Sequence, residues 1–115
     1  MKEVKAYVRL AIVHKVIEAL KLKGYCCMTV INVSGIGQFV NTKDWKYSME
    51  YIEKMSKMAK IELVCSDNVA DEIVRIIQEN GCTHQRGDGI IFVSNVERAV
   101  KIRTGEEGDT VLQHK

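Results

Sequence analysis

Gly87-Asp88-Gly89-Ile90-Ile91-Phe92-Val93 is a glycine turn that leads into an apolar strand, and the rest of the chain is interpreted around it. Glycine adopts positive φ easily, and consecutive N–H groups in such a turn can form an anion-binding concavity. Lys101 and Arg103 follow, two residues apart, a spacing that places both side chains on one face of an extended segment. Two interpretations stay open at this point, a phosphate clamp and an ordinary hairpin turn before a half-exposed strand.

Alternating or continuous apolar residues predict strands over residues 4–9, 27–33, 60–65 and 90–94. Val13, Val16, Ile17 and Leu20 have helical spacing and predict a helix that ends at Gly24, a natural C′ residue. A second apolar stripe predicts a helix capped by Ser66 or Asp67 and ended by Asn80-Gly81, with Val69, Ile73, Ile76 and Ile77 on one face. Residues 95–99 suggest a short helical turn capped by Asn95, residues 100–103 an extended segment, and residues 105–115 a frayed polar end.

This order of elements predicts an α+β fold of the ferredoxin-like βαββαβ type, with an antiparallel sheet and helices on one face only. The 115 residues fit one domain, 1–115. The uncovered sheet face favours oligomerisation.

Charge and composition exclude several classes of function. The 17 basic and 15 acidic residues are well mixed and give a net charge of only +2, unlike a nonspecific nucleic-acid binder. No apolar segment is long enough to span a bilayer, and the first residues do not form a signal peptide, so a cytoplasmic protein is expected. An RNA-recognition module would need stacking aromatics on its central strands, where Tyr7 is the only ring. No nucleophile–base pair or carboxylate pair indicates an enzyme.

The four cysteines, Cys26, Cys27, Cys65 and Cys82, are expected to be reduced in a cytoplasmic protein. They lack Cys-x-x-Cys spacing. Cys82-Thr83-His84 with a distant cysteine is a conceivable metal site, but buried structural cysteines are the favoured interpretation and no metal is predicted.

Residues 38–59 are mostly polar and aromatic and show little periodicity. A loop of this length inside a compact domain indicates a functional segment. Trp45, Tyr47 and Tyr51 suit contact with a partner protein, and packing within the loop is the alternative.

Taken together, the motifs resemble those of the P-II signal-transduction family from Met1 to about Glu106. The matching positions are Gly24, Met28-Thr29-Val30, Val33, Gly35-x-Gly37, Glu50-Tyr51, Lys60-Ile61-Glu62, Gly87-Asp88-Gly89, Ile91-Phe92-Val93 and Ile102-Arg103-Thr104-Gly105-Glu106. The resemblance implies a non-enzymatic homotrimer that binds adenine nucleotides between subunits and senses 2-oxoglutarate with Mg-ATP. It further implies a T-loop over residues 38–59 that contacts target proteins, and a flexible tail over 107–115.

Carried over from the family, the nucleotide site uses residues from several parts of the chain. The resemblance places Thr29 near adenine and ribose, Val64 in the base pocket, and Lys101 and Arg103 as cations from across the subunit boundary. Gly35 and Gly37 come from a strand end, and Gly87, Asp88 and Gly89 cradle phosphates and ribose. Tyr51 stands where some members carry a uridylyl group. The targets in the family are ammonium transporters, nitrogen-assimilation enzymes and nitrogenase components.

The chain departs from the family pattern where charge is expected. Gln38 and Ile90 replace basic residues, Phe39 replaces a glutamine, Met58 replaces a lysine, and Lys101 replaces an arginine. Because Mg²⁺ and a dicarboxylate need oxygen ligands and charge, we expect 2-oxoglutarate sensing to be lost. ADP or AMP is expected to bind at least as well as ATP, with Arg86 as a replacement cation. The alternative is an adaptor trimer that binds a partner protein without nucleotide.

Overall fold

The computed structural model describes residues 1–34 and 57–112, which form a sheet covered by helices on one face. The elements are β1 (Lys2–Arg9), α1 (Val13–Leu22), β2 (Thr29–Ser34), β3 (Lys57–Cys65), α2 (Ala70–Gly81) and β4 (Ile91–Asn95). The strand order is β2-β3-β1-β4, and every pairing is antiparallel. The predicted ferredoxin-like fold is therefore confirmed.

The core lies between the helices and one face of the sheet. Period-two alternation puts Val4, Ala6 and Val8 of β1 on this face, and all three are buried. Register pairs Val4 with Leu63 and Ala6 with Ile61, so β3 contributes to the same apolar layer. The helices supply the opposing layer through Val13, Val16 and Leu20 of α1 and Ile73, Ile76 and Ile77 of α2.

The end of α1 follows its prediction. Gly24 has a φ of +88°, and its N–H donates to the carbonyl of Lys21 at 2.9 Å, while Tyr25 donates to Leu20 at 3.0 Å. This pair of bonds is a Schellman motif, which requires a residue in the left-handed region and so favours glycine.

The start of α2 differs from its prediction. Neither Ser66 nor Asp67 caps the α-helix, because a 3-10 turn over Asp67–Val69 precedes it and Val69 takes the N-cap position. Ser66 contributes its backbone carbonyl, which accepts from Val69 N–H at 3.2 Å, and makes no side-chain cap bond. Asp67 instead lies 2.8 Å from the N-terminal ammonium group, an ion pair that lowers the pKa of Asp67.

The segment after β4 also differs from its prediction. Asn95 is the last residue of β4, paired with Lys2, so it does not cap a helical turn. Val100 forms an isolated antiparallel bridge with Glu107, and a 3-10 helix covers Asp109–Val111. This part of the C-terminal segment is thus folded back on itself. At the other boundary, β3 begins at Lys57 and takes in the last three residues of the region predicted as loop.

The sheet face opposite the helices mixes charged and apolar side chains. Tyr7 and Phe92 meet edge to face on adjacent strands, with ring centroids 6.2 Å apart. Lys60 and Glu62 form an ion pair of 3.0 Å beside them in the sheet, and Ile31 of β2 is 42% exposed. A face of this kind, part apolar and uncovered within the described chain, suits contact with another subunit.

Candidate functional site

A pocket of about 310 Å³ opens at the end of the sheet where β1 begins. Its walls include Thr29 at the start of β2 and Val64 near the end of β3, the two residues assigned to the base and ribose by resemblance. The volume lies at the lower end of the roughly 300–1,000 Å³ typical of small-molecule sites. The pocket can therefore hold a group of nucleoside size.

Two carboxylates, Glu3 and Glu62, also line this pocket. Glu62 is paired with Lys60, whose Nζ lies 3.0 Å from Glu62 Oε1. Carboxylate oxygens accept hydrogen bonds from hydroxyl and amino groups and repel phosphate oxygens. The chemistry of the walls thus suits a base or a ribose and disfavours a phosphate.

The glycine turn lies against the other end of β1. Tyr7 N–H donates to the carbonyl of Ile90 at 2.9 Å, which brings the two backbones together. A Cβ on Gly89 would lie 1.7 Å from Tyr7 O, so only glycine permits this approach. Gly87 is buried with a φ of +104°, and a Cβ there would lie 2.9 Å from Arg9 Nη2. The turn is therefore built on glycine at both positions.

Asp88 fixes the turn from within. Its carboxylate accepts hydrogen bonds from Arg9 Nε at 2.8 Å and from Thr83 N–H and Oγ1 at 2.7 and 2.5 Å. Burial alone would raise the pKa of Asp88, but the bonds from Thr83 and Arg9 outweigh it and lower the pKa to about 2. Arg9 Nη2 also donates to the carbonyl of Arg86 at 2.8 Å. The Asp88 side chain is thus committed to holding the turn in shape.

Lys101 and Arg103 do not lie on an extended segment. The chain turns over residues 102–104, with Gly105 N–H donating to Lys101 O at 2.7 Å and Lys101 N–H to Glu106 O at 2.8 Å. Gly105 closes the turn with a φ of +76°. The predicted extended segment over residues 100–103 is therefore wrong, because exposed Arg103 lies within a turn and half-buried Lys101 directly precedes it.

Within one chain the candidate residues fall into separate groups. Glu3 lines the Thr29 pocket and Tyr7 contacts the glycine turn. These two residues are four positions apart on β1, which corresponds to roughly 13 Å. The turn that carries Lys101 and Arg103 follows β4, whose last residue pairs with Lys2 at the same end of β1 as the pocket. A second cavity of about 130 Å³ beside Asp88 and Gly89 is smaller than the small-molecule range.

The remaining predicted residues divide by position. Gly35, Gly37, Trp45, Tyr47 and Tyr51 lie outside the described residues, as do Gln38 and Phe39. Met58 lies in β3 opposite Arg9 and is only 2% exposed. Ile90 is half-buried and joins the turn to β1 through its carbonyl.

Several residues at these sites were missed by the sequence reasoning. Alternation along β1 indicated that Arg9 lies on the face opposite the core. It did not indicate the partner of Arg9, because Asp88 is 79 positions away in the sequence. Val111 and Leu112, which also line the Thr29 pocket, come from the segment predicted to be frayed. Glu3 and Cys27 are further wall residues of this pocket that were not predicted.

The cysteines differ from the prediction of four buried thiols. Cys65 is buried and Cys82 is half-buried, whereas Cys26 and Cys27 are exposed. Cys82 Sγ lies 3.6 Å from His84 Nδ1. In residues 1–34 and 57–112 no group of three or more histidine, cysteine or acidic side chains is arranged to hold a metal ion. The helices in the same residues are also too short and too polar to span a bilayer.

Comparison with known proteins places these features in a family. The family model described as "Nitrogen regulatory protein P-II" matches residues 1–106. Proteins of that name from Rhodobacter capsulatus and Klebsiella oxytoca are each 36% identical over 112 residues, covering 97% of this chain and all of the relative. The protein of that name from Pyropia yezoensis is 38% identical over 110 residues, covering 92% of this chain and 95% of its own.

Proposed function

Since the chain belongs to the P-II nitrogen regulatory family, we propose that it is a non-enzymatic cytoplasmic regulator that binds an adenine nucleotide between the subunits of a homotrimer. The observation that carries the proposal is the 310 Å³ pocket at Thr29 and Val64. The carboxylate-lined walls of this pocket suit the nucleoside. The phosphates then lie outside the pocket, near the cations Lys101 and Arg103.

An intersubunit cleft accounts for the separation of the site within one chain. The Thr29 pocket and the glycine turn lie at opposite ends of β1, and we propose that a nucleotide in the Thr29 pocket of one chain meets the glycine turn of a neighbouring chain. In this arrangement Lys101 and Arg103 bind the phosphates from the exposed turn. Light scattering on the purified protein should then give three times the chain mass.

The backbone of the glycine turn is the proposed anion-binding element of the site. The contact between Arg9 and the Asp88 carboxylate holds the turn from the inner side. Because Asp88 N–H donates to Gln85 O at 3.3 Å, the proposed ligands for phosphate oxygens are the N–H groups of Gly87 and Gly89. Ile90 adds no charge here, so the most distal phosphate gains least. ADP or AMP should therefore bind at least as tightly as ATP.

Isothermal titration with AMP, ADP and ATP tests the nucleotide site directly. Arg103→Ala should weaken binding about tenfold or more, since a charge-assisted hydrogen bond contributes about 1.5–3 kcal/mol. Arg75→Ala is the matched control, because Arg75 is also an exposed arginine, and it should bind as the wild type does. No binding of any of the three nucleotides would contradict the proposal and support the adaptor function without nucleotide.

We further propose that 2-oxoglutarate sensing is lost. Met58 is buried in β3, and its thioether supplies neither charge nor a strong hydrogen bond to a dicarboxylate. Titration of 2-oxoglutarate into protein saturated with Mg-ATP should give no heat of binding. Binding in the micromolar range under these conditions would contradict this part of the proposal.

The target is proposed to be a protein of nitrogen metabolism, such as an ammonium transporter, an assimilation enzyme or a nitrogenase component, contacted through residues 38–59. Trp45, Tyr47 and Tyr51 of this segment are the proposed contacts. Co-purification from the native cell should recover a partner with the wild type and lose it with Trp45→Ala. Recovery of the same partner by both proteins would place the contact elsewhere.

A further inference from the structure

Cys26 and Cys27 lie side by side in the connection between α1 and β2, and both are exposed. Their Sγ atoms are 3.1 Å apart, about 1 Å longer than a disulfide bond. Consecutive side chains of an extended segment point in opposite directions. Cys27 departs from that geometry with a φ of +62°, a conformation that is uncommon for a residue with a Cβ. The backbone therefore holds two thiols together at the surface.

We propose that Cys26 and Cys27 form a reversible dithiol–disulfide site whose oxidant is a low-molecular-weight disulfide of the glutathione type. One cysteine thiolate attacks the oxidant, breaks its S–S bond, and releases one thiol while forming a mixed disulfide. The second cysteine thiolate then attacks the protein sulfur of the mixed disulfide and releases the other thiol. The protein loses two protons and two electrons, which reduce the oxidant to two thiols.

The bridge between neighbouring residues is easily reduced. Cα atoms joined by a trans peptide are about 3.8 Å apart, shorter than the roughly 4.4 Å at which the usual disulfide range begins. The ring is therefore strained, and strained, exposed disulfides are the labile ones. Such a site responds to the ratio of oxidised to reduced thiols and does not serve as a permanent brace.

The two thiols are not joined by a disulfide in this structure. A hydrogen bond with Cys26, and to a smaller extent burial, raises the pKa of the Cys27 thiol above its ordinary value and so lowers its thiolate fraction. Thiolate is the attacking species, so the rate of ring closure should increase as the pH rises above neutrality.

Peptide mass spectrometry of the full-length protein, equilibrated in glutathione buffers and alkylated, tests the proposal. Trypsin releases residues 24–43 as one peptide that contains both thiols and no other cysteine, whereas Cys65 and Cys82 fall in different peptides. In oxidising buffer the 24–43 peptide should be lighter than the reduced, unalkylated peptide by two hydrogens, and it should return to the dithiol in reducing buffer.

Single substitutions distinguish formation of the Cys26–Cys27 disulfide from reaction of one thiol with glutathione. Cys26→Ser and Cys27→Ser should each retain a glutathione adduct on the remaining thiol, because no neighbour displaces it. Cys82→Ser is the matched control and should oxidise at the 24–43 peptide as the wild type does. The proposal is overturned if this peptide stays reduced in the wild type, keeps glutathione, or is cross-linked to Cys65 or Cys82.

Ring closure should affect the Thr29 pocket directly, because Cys27 is one of its wall residues and Thr29 follows two positions later. This consequence rests on the proposed nucleotide function. Ring closure should change the ADP dissociation constant by roughly fivefold or more. Saturating ADP should then change, by the same factor, the ratio of the squared concentration of reduced glutathione to the concentration of glutathione disulfide at which half of the protein is oxidised. Equal affinities overturn the coupling, and absence of ADP binding overturns both the coupling and the nucleotide function. The peptide masses report ring closure independently of ADP.

Discussion

Arg9 Nε donates to Asp88 Oδ1 at 2.8 Å, joining the last residue of β1 to the centre of the glycine turn. The two side chains are 30% and 23% exposed, so solvent screens the pair only in part. Thr83 completes the arrangement with a backbone and a hydroxyl donor to the same carboxylate. The Asp88 carboxylate therefore accepts from all three of these donors and holds the turn against β1.

Asp88→Asn should lower the free energy of unfolding by about 2 kcal/mol, because hydrogen bonds to a charged group contribute about 1.5–3 kcal/mol. The amide keeps the shape of the side chain, but its Nδ2 faces donors. Urea unfolding checks the value. Asp109→Asn, at an exposed aspartate of the C-terminal 3-10 helix, is the control and should change stability little. Equal losses in the two variants would contradict the role of the Asp88 carboxylate in holding the turn.

The lowered pKa of Asp88 predicts how the free energy of unfolding depends on pH. The folded pKa of about 2 lies below the ordinary value of 3.8, so the stabilisation is fully present above pH 3.8 and lost as pH falls through about 2. The difference in unfolding free energy between the wild type and Asp88→Asn should be constant from pH 7 to 5 and shrink toward zero near pH 2. A difference that persists unchanged at pH 2 would contradict this assignment.

Local patterns predicted the fold because they report on one element at a time. Alternation along β1 and the apolar stripes of α1 and α2 depend on which face is buried. Most of the predicted core residues are buried, whereas Ile17 and Val69 are only partly buried. Asn95 was misassigned for a related reason. Its side chain favours a helix cap, but β1 extends to Lys2, and pairing in the sheet takes priority over the cap.

The candidate site was harder to predict, because it depends on contacts distant in sequence. No periodicity links Arg9 to Asp88 or Val111 to Thr29. Arg9 contacts Asp88, and Val111 and Thr29 line the same pocket, only after the sheet is assembled. Two-residue spacing also misplaced Lys101 and Arg103, since Gly105 closes a turn where an extended segment was assumed. The glycines predicted the local structure better, because glycine is favoured where φ is positive or where there is no room for a Cβ.

Gly89→Ala should be one of the most destabilising single substitutions in the described chain. Its Cβ would lie 1.7 Å from Tyr7 O, so the turn or β1 must move and the bond from Tyr7 N–H to Ile90 O is lost. We expect a loss of about 3 kcal/mol or more in urea unfolding, or no folded protein. Circular dichroism distinguishes the two results.

Gly105→Ala is the matched control for the clash at Gly89. Gly105 has a φ of +76°, and a Cβ added there would meet nothing within 4 Å, so alanine adds backbone strain without a collision. The cost should be about 1–2 kcal/mol. A loss at Gly89 no larger than at Gly105 would show that the approach of the turn to β1 is looser than 1.7 Å implies.

Tyr25 Oη donates to Glu72 Oε2 at 2.7 Å and ties the end of α1 to α2. Burial, then the bond and charge of Glu72, raise the pKa of Tyr25 to about 12, so its stabilisation is complete below the ordinary value of 10 and lost as pH rises through 12. Tyr25→Phe should cost about 1–2 kcal/mol at pH 7, since it leaves Glu72 without this donor. A double-mutant cycle with Glu72→Ala isolates the contact, and its coupling energy should be about 1 kcal/mol. A coupling near zero would assign the loss to packing of the ring alone.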